Sequence, residues 1–175
     1  KGVALLISVL ALFLALAETG AKGAQTNALA QNIEAANLWA FFQARTIRQT
    51  TARTAADHSA LDMVGLAEGE RRTAIERQVA AWRAQAQRWE SEPETGEGRR
   101  ELMARAQAAQ RHRDRAMAAY HMYEFGSAAF QVAIVLASAS IVTAVPLLAV
   151  LGGVLGAIGL GLTGLGFFAP ELIHF

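Results

Sequence analysis

The sequence predicts an all-α membrane protein with three transmembrane helices and an extramembrane helical hairpin of the antiparallel coiled-coil type. Three observations lead there. Two adjacent uncharged apolar runs cover residues 126–145 and 147–169, a third covers residues 2–17, and between them apolar residues recur at heptad-like spacings on both sides of a glutamate- and glycine-rich turn. At about 1.5 Å per residue the 126–145 run spans roughly 30 Å, the thickness of a hydrocarbon core. A water-soluble helix of that length needs a polar face, and neither C-terminal run has one. Pro146 separates the two runs and marks the fold-back.

Composition agrees. Of 175 residues 53% are hydrophobic and 18% charged, which suits one membrane unit with a modest extramembrane domain. Lys plus Arg at 16 against Asp plus Glu at 15 leaves no basic field of the kind nucleic-acid binders use, so nucleic acid is not an expected partner. With no cysteine there are neither disulfides nor thiolate metal sites, and the compartment has to be read from topology.

Taking the chain in order, residues 2–17 fall just short of the roughly 17–25 residues of a span, and because Lys1 is not preceded by methionine, further upstream residues would bring the run into range. Lys1 and the small-x-small triplet Ala15-Leu16-Ala17 also fit a signal peptide; the expectation is a retained transmembrane helix. Gly20 and Gly23 then offer a place to bend or stop, and Thr26 or Asn27 a cap for a new helix. In that helix Leu29, Ile33, Ala36, Ala40 and Ile47 form one apolar stripe. At about 100° per residue Leu38, Trp39, Phe41 and Phe42 fall largely opposite it, so the element is expected to be covered on two sides. Trp39, Phe41 and Phe42 are therefore candidates for an assembly interface with a neighbouring subunit. The other coverings are the bilayer interface, with Arg45 and Arg48 facing headgroups, and packing within one subunit.

Asp57, His58, Ser59, Gly65 and Gly69 mark a reversal. Beyond it Ile75, Val79, Trp82, Ala86 and Trp89 alternate steps of four and three. Residues 90–98, with Pro93, Gly96 and Gly98, read as the clearest turn, after which Leu102, Ala106, Ala109, Arg113, Ala116, Tyr120 and Tyr123 repeat the spacing. Residues 70–124 are thus expected to form an antiparallel hairpin inside an extramembrane domain of residues 18–124, its second arm continuing into the span at 126. Arg105, Arg111, Arg113 and Arg115 stand close to that span while the turn at Pro146 is uncharged, so the positive-inside rule puts the extramembrane domain in the cytoplasm.

Candidate chemistry is sparse. His58, His112, His121 and His174 are scattered, and the i,i+3 pair His121 and Glu124 lacks the second pair and facing carboxylates that a carboxylate-bridged metal site needs. No phosphate-binding glycine loop or nucleophile elbow occurs, so no catalytic residue, metal or cofactor is assigned. In the last span Gly152 and Gly156 form a small-xxx-small pair that Gly159 continues. That face suits subunit association or a pore wall, or packing within the chain. The C-terminal spans hold no ionisable side chain, which argues against coupled transport and leaves a passive pore open.

The N-terminal span, the segment NIEAANLWAFFQARTIR at residues 32–48 and the closing two-span hairpin together resemble a family catalogued as domain of unknown function 4337. The resemblance covers nearly the whole chain and implies a bacterial protein of the inner (cytoplasmic) membrane. It brings no activity to carry over onto Trp39, Gln43 or Arg48. The expected function is that of a non-enzymatic multi-pass protein whose partners are the lipid bilayer and further copies of itself, acting as a homo-oligomeric scaffold or an accessory subunit of a larger membrane complex. The alternative is a passive channel-like pore lined by the glycine-rich last span.

Overall fold

The computed structural model describes residues 1–172, so His174 lies outside the described residues. The described chain is all α: α1 (Gly2–Asp62), α2 (Glu70–Glu90), α3 (Arg99–Thr143), α4 (Pro146–Phe168) and a closing 3-10 turn, Pro170–Leu172. Three of these helices, α1, α3 and α4, are long and apolar enough to cross a membrane.

The expected stop near Gly20 does not occur, because α1 passes through both glycines without a break. One glycine costs a helix only about 1 kcal/mol. Gly20 is moreover used for close approach, since a Cβ there would lie 2.9 Å from the Tyr123 ring. Thr26 caps nothing and turns its hydroxyl back onto the Lys22 carbonyl at 2.9 Å. Thr46 and Thr51 donate to the Phe42 and Ile47 carbonyls in the same way, which satisfies their hydroxyls within a stretch that is helical throughout.

Two compact units divide the chain. The first comprises Lys1–Gln31 and the chain from Arg111 onward. Its core is Leu10, Ala17, Phe130 and Ala133, with Leu6, Phe13, Leu14, Ile134 and Leu155 packed around them. Phe13 and Phe130 stack with centroids 6.1 Å apart. Between α3 and α4 the chain turns at Ala144, which takes a left-handed φ of 57°, and Pro146 opens α4 from an extended Val145 N-cap.

The second unit is Asn32–Gln110. The chain reverses between Asp62 and Glu70, with Gly65 at φ +85°. Arg83 reaches Asp57, Gln49 bonds the Ala86 carbonyl and Arg45 bonds Glu97. Leu102, Ala106 and Ala109 then share a core with Ala35 and Leu38. Partners on α1 therefore descend in sequence as those on α2 and α3 ascend, so α2 and the start of α3 follow one another along α1. This corrects the expected 70–124 hairpin: the 91–98 segment is a jog within one returning arm. The arm pairs with α1 because the inward face of α1, Ala35, Leu38, Phe42, Arg45, Gln49, Ala52 and Ala56, repeats at steps of three and four and has alanines toward both ends. The jog is held by Glu101, whose carboxylate accepts from Ser91 Oγ at 2.6 Å and from the Glu92 amide at 3.2 Å. Gly98 is required there because a Cβ would collide with the Glu92 nitrogen and stand 2.7 Å from Ser91 Cα.

Candidate functional site

Midway along the second unit the α1 seam turns polar. Arg45 and Gln49 occupy core positions of the heptad and are only 9% and 2% exposed. Arg45 Nη2 donates to Glu97 Oε2 at 2.6 Å, its guanidinium lies 5.4 Å from the Phe41 ring centroid, and its Nε has no partner among the described residues. The Gln49 amide donates to the Ala86 carbonyl at 3.0 Å and to Glu90 Oε2 at 2.8 Å, while its oxygen accepts from Arg99 Nη1 at 2.8 Å. Arg99 also donates to Thr46 Oγ1 and Glu90 Oε2, both at 2.9 Å, and lies over the Phe42 ring. The Gln49 hydrogen bond holds the Glu90 carboxyl below its ordinary value; desolvation opposes it, and the charges of Arg99 and Arg100 assist.

The acids of this knot are matched by amides or guanidinium groups. Polar residues at seam positions fix helix register, since a slipped register would strand them unpaired. Of the three coverings expected for this stretch, the one that set Arg45 against headgroups does not describe its place here, and Gln49, Glu90, Glu97 and Arg99 were not among the candidate residues. Positions 35, 38, 42, 45, 49, 52 and 56 do repeat at steps of three and four, but Leu29, Ile33 and Ile47 mark another face at similar steps, so the period alone does not say which face packs.

That other face is uncovered. Ile33 is 54% and Ile47 66% exposed, and Leu29, Ala36 and Ala40 are exposed as well. Of the three aromatic interface candidates, Trp39 and Phe42 instead pack on the unit's own core of Ala35, Leu38, Leu102, Ala106 and Ala109, their rings edge-on at 5.4 Å. Phe41 remains on the surface, 38% exposed.

The glycine candidates are likewise used within the chain. A Cβ on Gly152 would sit 2.8 Å from the Ala133 carbonyl oxygen, one on Gly159 3.0 Å from that of Gly126, and one on Gly156 would collide with the end of Leu10. Gly152, Gly156, Gly159 and Gly166 are all buried, so this face of α4 is filled by α1 and α3 and is not free for another subunit or for water. The close approach of small residues that the spacing announced is present, with partners from the same chain.

The profile of a family described as Domain of unknown function (DUF4337) matches residues 1–169. The chain belongs to this family. No curated protein and no solved structure matches it. In this DUF4337 chain His121 Nδ1 stands 3.7 Å from Glu124 Oε2, and the Tyr120 hydroxyl donates to Glu124 Oε1 at 3.1 Å. No cluster of three or more potential metal ligands occurs among the described residues. His58 pairs with Asp62 on the exposed end of α1, at 3.7 Å.

Proposed function

We propose that this DUF4337 chain is a non-enzymatic assembly subunit of a bacterial inner membrane, crossing the bilayer with α1, α3 and α4 and docking onto a second copy of itself along the outer face of α1. The observation that carries the reading is the outward row Ile33, Ala40, Ile47, which repeats every seven residues on a segment of α1 beyond the apolar span. A two-stranded coiled coil needs such a row on both partners, and a second copy supplies it by identity. Copies that share one bilayer have parallel α1 helices, and the positions flanking the row, Asn37, Trp39, Ala44, Thr46 and Thr51, carry no charge, so no like charges are opposed. Membrane insertion is supported by the exposed apolar faces of the three long helices, with Leu5, Leu12, Val135, Val150 and Ile158 among the outward residues.

Two measurements test the two halves of the proposal. Alkaline carbonate should leave the protein in the membrane fraction; release into the supernatant refutes insertion. Mass measurement in detergent should give an oligomer that Ile33→Glu combined with Ile47→Glu converts to monomer, while Ala81→Glu on the exposed face of α2 does not. A monomeric wild type, or a double variant that keeps its subunit number, refutes docking along this face.

A further inference from the structure

Within the first unit an open cleft of about 410 Å³ lies between α1, α3 and the end of α4. That volume falls in the range of small-molecule sites, roughly 300–1,000 Å³. The cleft exists because glycines stand where side chains would close it: Gly20 and Gly166 both rest against the Tyr123 ring, and Gly23 meets nothing within 4 Å. Its depth is set by the sequence. Gly20 follows the end of the first apolar run, Tyr123 precedes the start of the second and Gly166 is near the end of the third, so all three helices pass from apolar to polar at this level.

The polar wall comes from two helix faces. Asn27 and Gln31 stand four apart on α1, and His112 and Arg115 three apart on α3. Asn27, Gln31 and His112 have no hydrogen-bond partner among the described residues. Among the described residues Arg115 has one ion pair, with Glu171 at 3.8 Å, in which both side chains are more than 60% exposed. A pair so long and so exposed is weak and yields readily to a better anion. On the apolar side Phe167 is 73% exposed. Amide, imidazole and guanidinium donors thus stand directly above an aromatic and glycine floor at a water–hydrocarbon boundary.

We propose that this cleft binds the phosphodiester headgroup of an anionic phospholipid, with Arg115 as the charge partner and Asn27, Gln31 and His112 as hydrogen-bond donors. A phosphate group offers several acceptor oxygens, which suits converging donors and a guanidinium fork. The lipid's tails would leave past Phe167 into the hydrocarbon, a route a soluble phosphate ester has no use for. The assignment rests on the membrane reading above, and carbonate extraction separates the two: a failed cleft leaves a carbonate-resistant protein, a failed membrane reading does not.

The test is native mass spectrometry of the detergent-solubilised protein titrated with phosphatidylglycerol or phosphatidylcholine. Phosphatidylglycerol should bind about tenfold tighter, because the choline ammonium of phosphatidylcholine offsets the phosphate's charge beside Arg115 whereas the glycerol headgroup leaves the net negative charge to the guanidinium. Arg115→Gln should abolish that preference, and Lys22→Ala, which removes a cation on α1 that does not line the cleft, should leave it unchanged. Helical circular dichroism is expected to be the same for all three proteins. Equal binding of the two lipids, or an Arg115→Gln variant that still prefers phosphatidylglycerol, overturns the site. Displacement of the lipid by glycerol 3-phosphate at matching concentration overturns the lipid assignment in favour of a soluble phosphate ester.

Discussion

Gly152 and Gly153 are sequence neighbours with opposite surroundings, and they separate the two effects a glycine has in a helix. Gly153 meets nothing within 4 Å, whereas a Cβ on Gly152 would press on the Ala133 carbonyl oxygen at 2.8 Å. Gly153→Ala should therefore be neutral or stabilising by up to about 1 kcal/mol through helix propensity. Gly152→Ala should destabilise by about 1–3 kcal/mol, because a backbone carbonyl cannot swing aside. Gly156→Ala should fall between them, since what it meets is the flexible end of Leu10. Thermal unfolding of the solubilised variants checks the order; equal effects at 152 and 153 would remove the close-packing role from the glycine face. Ala144 makes the converse case. Its φ of 57° is the left-handed region that favours glycine, so Ala144→Gly should raise stability by about 1 kcal/mol in the same assay.

The pairing of α1 with its returning arm depends on the polar knot, and pH reads it out. Glu90 is held below its ordinary carboxyl value by the Gln49 hydrogen bond, with Arg99 and Arg100 assisting. A carboxylate with a depressed folded pKa contributes stability that is complete above the unfolded value, about 4.3, and is lost as pH falls through the folded value. Glu90→Gln should therefore weaken the protection of α2 amides against hydrogen exchange by about 1–2 kcal/mol at neutral pH. The difference between variant and parent should begin to shrink below the unfolded value of about 4.3 and vanish once the pH has passed the lowered folded value. A variant whose deficit persists unchanged into acid would show that Glu90 acts through packing and not through its charge. The same knot explains why the second of the two breaks, residues 91–98, does not reverse the chain as expected whereas the first, residues 63–69, does. Both carry glycines at positive φ, Gly65 and Gly96, and both were visible as breaks. Whether a break reverses the chain depends on which surface the flanking helices bury, and Gln49, Ala86 and Glu90 settle that in favour of α1.

Across the whole chain the proposed topology makes the most accessible prediction. Arg105, Arg111, Arg113 and Arg115 sit beside the second apolar span while the α3–α4 turn is uncharged, so the Asn32–Gln110 unit should face the cytoplasm. Cysteines introduced singly as Glu94→Cys, in the exposed 91–98 segment, and Pro146→Cys, in the turn, should label from opposite sides of intact cells. Glu94→Cys should be shielded from an impermeant reagent; its labelling from outside would invert the topology and the cytoplasmic assignment together.

The sequence by itself determined the all-α class, three helices apolar enough to cross a membrane, the break before Pro146 and the family. It determined these because length, absence of charge and proline placement act locally: a run such as 147–169 with no polar face has the same property whatever surrounds it. The inward seams of α2 and α3 were legible for the same reason, since Val79, Ala86, Leu102, Ala106 and Ala109 recur at the helical period and are all buried. Only the tertiary structure decided what those seams bury against. On α1 both faces repeat at steps of three and four, and hydrophobicity favours Leu29, Ile33 and Ile47, yet the face that packs is the one built from Ala35, Ala52 and Ala56 around Arg45 and Gln49. Small residues let helix backbones come close enough for Gln49 to reach the Ala86 carbonyl at 3.0 Å and for Arg45 to reach Glu97. That gain belongs to pairs of residues far apart in the chain, so no periodicity within α1 alone could have revealed it.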